Sequence, residues 1–167
     1  GAWSSSNGVL KYYPGYSTAM AGDSIGAYMS FDFQQAAEEM VKVGISYVSI
    51  ENARPNLNFE MPGFAFDEVR GNARDKWNEA LSKIEIEGGT DEQRTIFYTA
   101  LYHTLIHPNV LSDVNGQYPA MDSYRVVENS ERPRYTVFSL WDTYRNVHPL
   151  FSLVYPQMQL DMVHSMI

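Results

Sequence analysis

Ser139-Leu140-Trp141-Asp142-Thr143-Tyr144-Arg145 is the densest group of functional side-chain types in the chain. A tryptophan offers a flat apolar face, and an aspartate beside it accepts two hydroxyl hydrogen bonds, a combination that holds a sugar ring. Asp142 stands near a predicted helix N-terminus, where the positive end of the helix dipole keeps its carboxyl ionised. The same heptapeptide also reads as plain architecture, with Ser139 as a helix cap, Trp141 as core, and Asp142 and Arg145 as a surface pair three residues apart. Residue types alone leave both readings open.

Other constellations are thinner. His103 and His107 are four apart on one predicted helix, a spacing that aims two imidazoles at one metal, but Thr104 stands where an HExxH motif has glutamate and no third ligand is evident. Packed or capping histidines fit better. Asp113, Asn115 and Gly116 resemble the start of a calcium loop, yet the glycine comes too early and no bidentate glutamate follows at the required distance. A hairpin turn at Asn115-Gly116, between Leu111 and Tyr118, explains those residues more simply. Tyr118, Asp122, Tyr124 and Arg125 follow it and can line a cleft or stand in solvent. Most other carboxylates, including Glu38, Glu39, Glu60, Asp67 and Glu68, fall opposite the apolar stripes, as a solvated surface does. The chain has no G-x-S-x-G, P-loop or G-x-G-x-x-G motif, so hydrolase-elbow and nucleotide-fold chemistries lose support.

The elements that position these groups change character along the chain. Short apolar runs broken by glycine, proline and aspartate, such as residues 9–13 and 26–33, read as strands. Residues 34–39 read as a loop or one helical turn. Residues 41–50 nearly alternate and predict a strand with one face on a core. After Ile50 the spacing becomes three and four. Ser49 and Asn52 predict a short helix stopped near Pro62-Gly63, and Phe66, Val69, Ala73, Trp77, Leu81 and Ile84 predict a helix over 67–83. Asp91-Glu92-Gln93 opens a capped helix that should run to His107, ended by Pro108. Residues 141–154 and 156–166 predict two more helices, the second with proline in its first turn. Strands first and helices afterwards indicate an α+β chain, or a junction between an all-β and an all-α domain. The junction is favoured, because a partial sheet and so few helices each look incomplete.

Composition excludes several classes. Twelve basic against twenty acidic residues give a formal charge of −8, with no basic run, which repels a nucleic-acid backbone. No apolar stretch is long enough for a membrane span, and the N-terminus does not read as a signal peptide. Zero cysteines remove disulfides, thiolate metal sites and a cysteine nucleophile. Fourteen per cent aromatic residues, including 12 Tyr and 3 Trp, suit sugar binding and ordinary cores alike.

Residues 97–103, 112–118 and 135–145, in that order and spacing, resemble glycoside hydrolase family 92, the calcium-dependent exo-acting α-mannosidases. Ser46-Tyr47-Val48-Ser49, Glu51, Ala53, Asn56-Leu57 and Trp77-Asn78 resemble the family upstream, as do His148-Pro149-Leu150 and Met162-Val163 downstream. The resemblance implies the end of a β-sandwich over 1–50, a helical linker over 51–90, and the first helices of an (α/α)6 barrel over 91–167. It implies release of terminal mannose from α-mannosides, α-1,2-linked or of another N-glycan type, by calcium-assisted inversion. An acid and a base stand about 6.5–9.5 Å apart in such a reaction. No residue here matches the family's acid, base or main calcium-binding segment, so this chain supplies part of a site and alone should be inactive. Trp141 and Asp142 match positions that contact the mannose, and Tyr118, Asp122 and Arg145 are further substrate-binding candidates. The implied partners are α-mannoside glycans and the remainder of its own polypeptide, and the implied location is periplasmic or extracellular. A non-catalytic carbohydrate-binding module, a structural β-sandwich module and an (α/α)6-barrel glucosidase are the competing readings.

Overall fold

A computed structural model describes residues 1–16, 18–31, 38–123, 125–128 and 131–167. Residues 32–37, in which part of the second strand run and most of the expected loop or turn fall, lie outside the described residues, as does Tyr124. The fold is α+β, and the chain divides into two compact units, Gly1–Val41 and Lys42–Ile167.

The first unit is an antiparallel sheet of three strands, β1 (Ala2–Ser6), β2 (Val9–Tyr13) and β3 (Ile25–Ala27), in the order β2-β1-β3. Sequence periodicity missed β1, which is the central strand. Ser6 pairs with Val9 across a two-residue loop, Asn7-Gly8, whose φ angles of 51° and 77° match the twist of the flanking strands. Trp3 pairs with Gly26, and the indole lies so close that a Cβ at Gly26 would stand 2.5 Å from the ring. A glycine is therefore what lets this tryptophan lie flat on the sheet.

In the second unit, residues 42–48 are extended but form no ladder among the described residues. This corrects the expectation of a strand packed on a core. Val43, Ile45 and Tyr47 are exposed, while Lys42, Gly44, Ser46 and Val48 face inward, so the alternation is present with the apolar side outward. The inward side is instead shaped for α1 (Ile50–Glu60), against which Gly44 packs with no room for a side chain. Ser49 caps α1 by accepting from the Asn52 amide at 3.1 Å.

Helix α2 (Phe66–Leu81) follows, and α3 (Asp91–Thr104) opens with a full capping box in which Thr90 and Gln93 exchange side-chain and backbone hydrogen bonds. Trp77 and Tyr102 join α2 to α3 with ring centroids 4.5 Å apart. Helix α3 ends at Thr104, short of His107, so the two histidines do not share a helix as expected. Four short strands come next: β4 (Asn109–Val110), β5 (Gln117–Pro119), β6 (Val126–Glu128) and β7 (Tyr135–Thr136). They pair as β4-β7 and β5-β6.

The helix expected over 141–154 is two, α4 (Leu140–Thr143) and α5 (Val147–Val154). Pro149 supplies the reason. In one continuous helix it would remove an interior hydrogen bond and press on the carbonyl of Arg145, whereas in the first turn of α5 its missing N–H costs nothing. Helix α6 (Pro156–Met166) packs on α5 around Phe151 and Met162, the largest fully buried side chains. The Ser165 hydroxyl accepts from the Tyr135 amide at 2.9 Å, fixing β7 to α6 just ahead of the Ser139–Arg145 segment.

Candidate functional site

Asp113 organises the polar interior of the second unit. It is 7% exposed, and its carboxylate accepts from the Ser46 hydroxyl at 2.7 Å, Asn52 Nδ2 at 2.8 Å and Asn56 Nδ2 at 2.6 Å. Ser46 is oriented for this, because its oxygen accepts the amides of Val48 and Ser49 and leaves its proton for Asp113. Asn52 also donates to Gln117 Oε1 and accepts from Asn115 Nδ2, while Asn56 donates to the Ile45 carbonyl and accepts from the Val114 amide. Both amides are saturated, as buried polar groups must be.

This network corrects the hairpin expected at Asn115-Gly116. The turn is present, closed by Gly116 N–H to the Asp113 carbonyl at 2.8 Å, and Gly116 has φ of 83°. Its flanking strands do not pair with each other, because β4 takes β7 and β5 takes β6. Asn115 is not among the residues with positive φ, and a two-residue hairpin of that kind needs it. Its side chain is engaged by Asn52 and by the Gln117 amide.

Above the network lies an open cleft of about 590 Å3, walled on one side by Tyr47 and Val48 and on the other by Pro119, Asp122, Ser123 and Arg125. Of the sequence candidates, Asp122 and Arg125 line this cleft. Tyr118 sits beside it in β5, under the Arg134 guanidinium at 5.4 Å from its ring centre.

Trp141, Asp142 and Arg145 lie elsewhere, on and just after α4. Trp141 is 87% exposed, so it is not core in this chain. The Ser139 hydroxyl donates to Asp142 Oδ2 rather than capping the helix. Arg145 does not form the expected pair with Asp142. Its Nε donates to the Tyr144 hydroxyl at 2.6 Å, and the guanidinium packs over that ring. Val137, two residues before Ser139, has φ of 66°, a conformation a β-branched residue adopts only under constraint.

No group of three or more His, Asp or Glu side chains suited to a metal is found among the described residues. Asp113, the most enclosed carboxylate near a turn, already accepts three N–H or O–H donors, and those donors repel a cation. Asp113, so bonded, therefore does not fit calcium. Sequence reasoning missed Ser46, Asn52, Asn56 and Gln117 as a set. The available signal was Asn52 and Asn56 at i,i+4 on α1, two amides on one helix face.

The fold is of α+β class, and comparison with known proteins gives the family. Residues 52–167 match the Glycosyl hydrolase family 92 catalytic domain, and the chain belongs to that family. It is similar to the family GH92 alpha-mannosidase BT3965 from Bacteroides thetaiotaomicron, at 37% identity and a TM-score of 0.67, over 72% of this chain and 16% of that one. That relative has also been solved in complex with mannoimidazole. The gh92 family glycosyl hydrolase ccman5 is 29% identical, with a TM-score of 0.67 and the same coverage of 72% and 16%. An uncharacterized secreted glycosidase of Arthroderma benhamiae is 28% identical over 127 residues, 72% of this chain and 15% of that protein. The chain thus spans about one sixth of the length of these relatives.

Proposed function

We propose that these residues belong to an α-mannosidase that releases terminal mannose from α-mannosides of N-glycan type, α-1,2-linked or otherwise, with inversion. In this reading residues 1–50 close a β-sandwich, 51–90 form the linker and 91–167 begin an (α/α)6 barrel. The observation that carries it is Trp141, a large aromatic left 87% exposed beside a carboxylate, on a chain of family 92. The relative at 37% identity being an α-mannosidase, and its complex with mannoimidazole, support mannose as the sugar. A secreted relative supports a periplasmic or extracellular location.

The chemistry of these side chains is binding and orientation. The Trp141 indole takes the C–H face of the sugar, and Asp142, with Oδ2 held by Ser139, presents Oδ1 to a sugar hydroxyl. Arg145 offers further hydrogen bonds to hydroxyls of this ring, while Tyr118 and Asp122 offer theirs to the glycan at the separate cleft. Fixing the ring this way lowers the barrier only where the contacts strengthen as it distorts toward the transition state. The family's calcium would hold mannose hydroxyls, and among the described residues no group of three His, Asp or Glu side chains stands ready to carry it.

The test is hydrolysis of 4-nitrophenyl α-mannoside by the intact protein, with the anomer of the product read by NMR. Trp141→Ala should lower kcat/KM more than about tenfold, while stability stays within roughly 0.5 kcal/mol because the side chain is exposed. Hydrolysis of the matching α-glucoside in preference, or a Trp141→Ala enzyme with unchanged kcat/KM, overturns the reading.

A further inference from the structure

The cleft bounded by Tyr47 and Arg125 is separate in its lining from Trp141 and Asp142. Its volume of about 590 Å3 lies in the usual range for small-molecule sites, roughly 300–1,000 Å3. Tyr47 is 67% exposed and presents a ring at one wall. At the other, the Ser123 hydroxyl donates to Asp122 Oδ1 at 3.3 Å, which leaves Asp122 Oδ2 as an acceptor beside the donor fork of Arg125. The ion pairs among the described residues are Arg74–Asp75 and Arg94–Asp91, so the two charges of the cleft are not spent on each other. One flat apolar face opposite groups that accept and donate to neighbouring hydroxyls is the complement of a pyranose.

The walls come from parts of the chain about seventy residues apart, and the Asp113 network joins them at the base. Ser46 and Asn52 bracket Tyr47 and Val48, while Asp113 leads into Gln117 and β5, after which the chain forms the opposite wall from Pro119 to Arg125. The cleft's width is therefore set by three hydrogen bonds to one buried carboxylate.

We propose that this cleft is a second saccharide subsite, binding a further sugar of the glycan whose terminal mannose is released, and that Asp113 is its positioning residue. The proposal rests on the mannosidase reading. Substituting Asp113→Asn, with its carbonyl kept on Ser46 and Asn52, turns an NH2 group onto the NH2 of Asn56 and pries the walls apart.

The experiment compares 4-nitrophenyl α-mannoside, with one sugar, against an α-linked mannotriose on the intact protein. Tyr47→Ala should raise KM for mannotriose about tenfold more than KM for the aryl mannoside, the loss of one good contact. Asp113→Asn should show the same bias. Equal losses on the two substrates in Tyr47→Ala, or in a folded Asp113→Asn, overturn the proposal. Should Asp113→Asn fail to fold, Tyr47→Ala decides alone. Should the wild-type protein hydrolyse neither substrate, the mannosidase reading fails separately. Calorimetric titration with mannotriose then decides the cleft, supported by binding that Tyr47→Ala weakens and overturned by binding that it leaves unchanged.

Discussion

Gly44→Ala is expected to be among the most damaging single methyl additions to the second unit. A Cβ at Gly44 would stand 2.5 Å from the Ala53 carbonyl oxygen and 2.9 Å from the Leu57 Cβ, where ordinary contact begins at 3.4 Å. Neither neighbour is the loose end of a flexible side chain, so the extended segment must move away from α1 by most of an ångström. Overpacking of that kind costs about 1–3 kcal/mol. The same movement stretches the bond from Ser46 to Asp113, now 2.7 Å, toward a length at which it no longer holds, adding about 1 kcal/mol. A total near 2–4 kcal/mol follows. Gly71→Ala is the matched control, because its Cβ meets nothing within 4 Å and it lies inside α2, where alanine is preferred by about 1 kcal/mol. Urea unfolding of the intact protein, read as midpoint and slope, should move the two variants in opposite directions. Gly44→Ala within about 0.5 kcal/mol of wild type, or on the same side as Gly71→Ala, refutes the packing argument.

Thr90→Ala removes half of the capping box of α3 and should lower stability by about 1 kcal/mol, measured by the same urea midpoints, with a Thr90→Ser variant retaining most of it. Burial first, and the Asp161 carboxylate second, push the Tyr135 hydroxyl above its usual pKa of 10.0, and burial does the same to Tyr155. The folded state then holds these protons where the unfolded chain has released them. Their contribution is full below pH 10 and is lost as the pH rises through the raised values. Urea midpoints from pH 8 to pH 11 should fall less steeply in Tyr135→Phe than in wild type, and an unchanged slope contradicts the assignment.

Local signals were legible wherever local forces decide. Ser49, Asp91 and Pro156 mark helix starts within a residue or so, because a cap or a first-turn residue acts on its own turn. The single helix expected over 141–154 failed because apolar spacing runs smoothly through Pro149 while the backbone cannot. Two Asn-Gly pairs show the limit more sharply. Asn7-Gly8 makes a tight hairpin in which both residues take positive φ and β1 pairs directly with β2. Asn115-Gly116 carries the same local preference, yet long-range bonds from Asn52 to Asn115 and Asp113 hold Asn115 in another conformation.

The residues of the Asp113 network are illegible singly for a related reason. Ser, Asn and Asp near turns and helix starts have an adequate local explanation, as caps and turn formers, so nothing in a window of ten residues asks for a distant partner. The demand comes from burial, which sequence does not display: a carboxylate 7% exposed needs several donors, and the nearby chain supplies none to its oxygens. The donors come from 57 to 67 positions away, all from one stretch of eleven residues. A contact so non-local forms only once residues 46–56 and the turn that holds Asp113 have both been placed. The two walls of the cleft are thus fixed together or not at all, and a substitution at Asn56, outside the cleft lining, should alter binding as surely as one at Tyr47.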